Sequence, residues 1–95
     1  MLIPWPHNSY PDGVFTDSFD NLWVGEFGGN VMRSFTSDGI LKLEMPLPAW
    51  NITKGVFCKT VENRLFITSA RIGCDESTLQ LYPHTGGILL IEGLF

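Results

Sequence analysis

The chain has 95 residues, 44% of them apolar, and a formal net charge of −4 from six basic and ten acidic side chains. That describes one small globular domain, or a piece of a larger one, with a modest core. It excludes a nucleic-acid backbone binder, which needs clustered Lys and Arg: residues 1–50 carry two basic and six acidic side chains, and residues 51–95 four of each.

In chain order, the apolar runs are short, rich in β-branched and aromatic residues, and closed by turn residues. Val14–Thr16 is followed by the turn Asp17-Ser18-Phe19-Asp20-Asn21 and then by Leu22–Phe27. Gly28-Gly29 punctuates before Asn30–Thr36, and Ser37-Asp38-Gly39 precedes Ile40–Met45, which alternates apolar and polar as a half-exposed strand does. Pro46 and Pro48 end this stretch. The second half repeats the style, with Gly55–Thr60, a turn at Val61-Glu62-Asn63, Arg64–Ser69, a long loop and Gly87–Glu92. Only Asp75–Leu81 suggests a short turn of helix. Such strands, divided by turn signals, predict an all-β fold.

The halves also match each other. Gly13-Val14-Phe15 recurs as Gly55-Val56-Phe57 and Asp20-Asn21 as Glu62-Asn63, both at an offset of 42. Leu22-Trp23-Val24 recurs as Leu65-Phe66-Ile67 at 43, and Gly28-Gly29 corresponds to Gly86-Gly87. A period near 42 with about four antiparallel strands per unit is the signature of propeller blades. The expected blades are residues 11–48 and 52–92, with Trp23 and Phe66 in the core. A propeller closes with roughly four to eight blades, so two blades leave apolar faces bare and need other chains. More copies of this chain, or a second chain, would supply the missing blades, with residues 1–10 supplying the outer strand that each second blade lacks.

The longest apolar run, Ile88–Ile91, is too short to span a bilayer, so no membrane is expected. No basic stretch precedes an apolar one, so no signal peptide is read. Cys58 and Cys74 have no zinc-ligand spacing; free thiols in a reducing, cytoplasmic setting are expected.

Pro11-Asp12-Gly13-Val14, Asp17, Asn21-Leu22-Trp23-Val24, Gly28-Gly29, Val31, Arg33 and Asp38-Gly39 together resemble the senescence-marker-protein/gluconolactonase/regucalcin family. Leu47-Pro48, Thr53, Phe57, Leu65 to Arg71 and Gly86-Gly87 continue the resemblance, which covers the family's last two blades. The family implies six-bladed propellers that hydrolyse sugar lactones with a divalent metal, a blade count that three copies of a two-blade chain would reach. Asp12 matches the Pro-Asp-Gly aspartate that ligates the metal on the propeller axis. The family's other ligands lie on earlier blades and have no counterpart here, and one carboxylate cannot hold Ca²⁺, Mg²⁺ or Zn²⁺ by itself.

The repeat places Lys54 where Asp12 sits in the first blade, at a position where the family usually has a small polar residue. The pair is open to three readings. The two can neutralise each other, bind an anionic or lactone ligand, or serve as a turn cap and a solvated lysine. His7, near Asp12 in sequence, is a candidate ligand-binding or acid/base group at the channel mouth, with an exposed loop histidine as the alternative; His84 reads as structural. The leading expectation is a lactonase-like module that uses Asp12 with a divalent cation once other chains complete the ring. The alternative is a non-catalytic scaffold, or a small-ligand-binding oligomer, that has lost its metal site and needs no cofactor.

Overall fold

The computed structural model describes residues 2–58 and 64–93. The turn expected at Val61-Glu62-Asn63, the Glu62-Asn63 match and the end of the run at Thr60 lie outside these residues. The elements are β1 (Tyr10–Thr16), β2 (Leu22–Phe27), β3 (Val31–Phe35), β4 (Leu41–Pro46), β5 (Ile52–Phe57), β6 (Arg64–Ser69), α1 (Glu76–Leu81) and β7 (Ile88–Glu92). They form two antiparallel sheets, β1-β2-β3-β4 and β5-β6-β7. The second sheet thus has three strands among the described residues, in keeping with a second blade of about four strands that lacks its outer one. Asp75 starts α1, its carboxylate accepting from the Thr78 amide at 2.8 Å, as an N-cap does. No helix among the described residues is long and apolar enough to cross a membrane.

Alternation along each strand sorts the side chains into two faces per sheet. The inner face of the first sheet carries Phe15, Trp23 and Met32; that of the second carries Leu65, Ile67, Leu89 and Ile91. These faces meet in the core, where Trp23, Met32, Leu65 and Ile67 are buried with Leu47, Ala49 and Ile52. Phe15, Trp23 and Phe57 pack as a trio, Trp23 lying edge-on to Phe57 with centroids 5.4 Å apart. Such pairs add about 0.5–1.5 kcal/mol to the gain from burial.

Asn51 stitches the two sheets together. It is buried in a left-handed conformation, φ 54°, which Asn tolerates better than most residues. Its Oδ1 accepts from the Gly28 amide at 2.8 Å, and its Nδ2 donates to the carbonyls of Ala70 (3.0 Å) and Ile72 (2.9 Å). Its backbone donates to Gly29 and accepts from Ala70.

The outer faces differ from each other. On the second sheet Val56 (61% exposed), Phe66 (38%), Ile88 (71%) and Leu90 (45%) form a bare apolar surface. Phe66, expected in the core, therefore lies outside it, because no further sheet among the described residues covers this face. On the first sheet Val24, Glu26, Arg33 and Phe35 are buried, and residues 3–9, none of them in a strand, lie over this side.

Candidate functional site

β1 carries the Pro-Asp-Gly run just after its first residue, Tyr10, and Gly13 is what lets it approach β5. Its φ is 38°, and a Cβ there would collide with the Thr53 carbonyl and stand 2.6 Å from Lys54 Cβ. Only glycine meets both demands. The close approach sets Asp12 beside the start of β5. Asp12 is half-buried, and its Oδ1 accepts from the Gly13 amide at 2.9 Å.

Ladder register settles which residues are equivalent. Asp12 lies opposite Gly25, two residues past Trp23; Lys54 lies opposite Thr68, two residues past Phe66. Asp12 and Lys54 therefore occupy the same rung of their sheets. The glycine match, however, is one rung out. The bulge in β1 falls at Gly13, after Asp12, whereas that in β5 falls at Thr53, before Lys54. Val14 is thus equivalent to Gly55 and Phe15 to Val56. A bulge inserts one unpaired residue, so sequence offsets drift across it.

Asp12 and Lys54 form no ion pair with any described residue within 4.0 Å. Lys54 is exposed and lines an open groove of about 780 Å³ with Val14, Thr16, Val56, Phe66 and Ile88, among others. Asp12 is not among the groove's walls. His7 lies elsewhere: its ring stands edge-on to Trp5 with centroids 5.1 Å apart, and it borders a separate recess with Arg33 and Glu44. No three His, Cys, Asp or Glu side chains come together as a metal cluster among the described residues.

Two polar clusters carried no role in the sequence reading. At the turn after β1, Asp17 is buried and accepts from the Trp23 indole (2.9 Å), the Asn21 side chain (3.0 Å) and the amides of Phe19 and Asn21 (both 2.9 Å). Burial works against its charge, but these donors outweigh it and hold the carboxyl below its ordinary value. The spacing Asp17…Asn21-Leu22-Trp23 was the available signal, since a turn carboxylate six residues before a buried indole has one donor it can satisfy.

On the outer face of the first sheet, buried Arg33 donates to Glu26 at 2.6 Å, with Glu44 3.6 Å from its Nε. The Trp5 ring covers the guanidinium at 4.9 Å. The Trp5 indole donates to Ser9, which donates to Glu26. No periodicity links residues 5 and 9 to 26 and 33, so this cluster was invisible in the sequence.

Comparison with known proteins places this geometry. Residues 4–71 match the model of the SMP-30/gluconolactonase/LRE-like region. Among curated relatives, zebrafish (Danio rerio) regucalcin is 38% identical over 85 residues, 88% of this chain and 29% of its own length. L-arabinolactonase of Azospirillum brasilense is 31% identical over 84 residues, 86% of this chain and 27% of its own length. The chain therefore spans less than a third of the relatives it matches. Among solved structures, a calcium-binding regucalcin from Agrobacterium tumefaciens superposes with a TM-score of 0.78 at 22% identity, over 95% of this chain and 32% of that one. A luciferin-regenerating enzyme superposes at 0.76 with 26% identity, over 97% of this chain and 29% of that one. The two sheets thus match part of a regucalcin propeller, and the chain belongs to the SMP-30/gluconolactonase/LRE-like family.

Proposed function

We propose that this chain is the two-blade part of a sugar-lactone hydrolase, active only when other chains complete the ring, three copies giving six blades. What supports this reading is Asp12, the Pro-Asp-Gly aspartate on β1 of a sheet that falls within the family match, one residue before the Gly13 bulge. The residues of a single chain do not fit a divalent cation. Asp12 offers one carboxylate already accepting from Gly13, no metal cluster forms among the described residues, and Ca²⁺ or Zn²⁺ takes four to eight ligands. Any cation would need carboxylates from several chains. No step of hydrolysis is assigned to the lone chain.

Lys54 favours a second reading. Sharing the rung of Asp12, it would put an ammonium beside each carboxylate of an assembled ring, which repels a cation and attracts an anion. That suits a non-catalytic ring that binds a small anionic ligand.

The test is the absolute mass in solution by light scattering, followed by aldonolactone hydrolysis and Ca²⁺ titration of the species found. A three-chain mass with hydrolysis lost in Asp12→Asn is the expected result. A three-chain mass without hydrolysis selects the binding ring, and a single-chain mass at all concentrations overturns both.

A further inference from the structure

The way the sheets pack inside the chain defines how copies would pack on one another. Leu65 and Ile67, which the second sheet turns toward the first, are the equivalents of Leu22 and Val24 on the outer face of the first sheet. Phe15 and Trp23, which the first sheet turns toward the second, are the equivalents of Val56 and Phe66 on the outer face of the second. The step that brings the two sheets together can therefore be repeated. It sets the bare Val56–Phe66–Leu90 face of one copy against the Leu22–Val24 face of the next, a head-to-tail contact.

That second face is already partly occupied. Residues 3–9 lie on it, held by Trp5 over Arg33 and by Ser9 on Glu26. We propose that residues 3–9 are a strap that covers, in cis, the surface a second copy's bare face would take, so that self-association requires the strap to leave. The inference rests on the composite-ring reading above.

The strap is built to be released. It adds no strand to the sheet, so its departure breaks side-chain contacts and no ladder. It leaves a recess of about 370 Å³ between Ile3, Trp5 and His7 on one side and Arg33, Phe35 and Leu41 on the other, so its fit is loose. The ion pair beneath does not depend on it, since Arg33 and Glu26 hold each other at 2.6 Å. Opening therefore strands no unpaired buried charge. What opening exposes is the arginine's flat face, which another copy's aromatic ring can take in place of Trp5.

When the competent state is a minor one, apparent affinity falls by its fractional population. The test compares the parent chain with Trp5→Ala/Ser9→Ala and with a chain lacking residues 2–8, by sedimentation velocity over a concentration series. Solvent exchange of the Trp5 indole proton in the parent reports on the strap itself. Both altered residues lie outside the sheets, and unchanged far-ultraviolet spectra establish that the variants fold. The expected result is a protected indole and about a ten-fold fall in the concentration for half-association in both variants. A parent that assembles as readily as the variants, its indole still protected, overturns the strap and leaves the composite ring standing. Variants that stay single at every concentration overturn the ring reading, and the strap's role falls with it.

Discussion

Asp17 accepts four hydrogen bonds in a buried turn, and that arrangement has a pH signature. Its folded pKa lies below the unfolded value. Its contribution to stability is therefore complete above the unfolded carboxylate range, near pH 4, and is lost as pH falls through the folded value. Asp17→Asn removes the charge and is expected to cost about 1.5–3 kcal/mol at neutral pH, read by urea unfolding. The gap between parent and variant should close below pH 4; a gap that persists in acid would mean the charge is not what holds the turn. Single residues were unevenly legible. Asp12 and Lys54 could be paired across the repeat by counting, and the ladders put them on one rung. Arg33 could not be placed, because what buries it is a tryptophan 28 positions earlier in a segment without periodicity.

At the scale of elements, the close contact between β1 and β5 rests on a glycine. Gly13→Ala adds a Cβ against the Thr53 carbonyl and asks alanine for a φ of 38°. We expect a loss of about 1–3 kcal/mol in thermal or urea unfolding; an unchanged midpoint would mean that β1 does not sit against β5. Strand positions were largely readable, since alternation and turn residues mark them directly. β1 nevertheless begins at Tyr10, four residues before the run read from the sequence. Pro11 and Gly13 look like turn punctuation, but β1 is an edge strand, where a missing amide hydrogen costs nothing and a bulge is accommodated. Bulge positions depend on which neighbour a strand must avoid, and that information is not local.

The whole molecule has two unlike outer surfaces, one strapped and one bare. Ile88 stands on the bare one at the outer strand of the second sheet. Ile88→Lys should abolish self-association in a sizing experiment while changing the stability of the single chain by no more than about 0.5 kcal/mol; association that survives the substitution would place the contact elsewhere. The need for some cover followed from counting blades, since two sheets cannot bury four apolar faces. Which segment provides it did not follow, because the strap works through scattered side chains. Asn51 carries a further consequence. It satisfies the turn at Gly28-Gly29 and the loop at Ala70 and Ile72 with one residue. As the chain leaves the ribosome, amino terminus first, the first sheet emerges with that turn still waiting for its partner. Asn51 in turn is not fixed until residue 72 has followed. The Gly28-Gly29 turn of the earlier half thus gains these bonds only once residue 51 has emerged, and parting the two sheets at Asn51 breaks bonds of both.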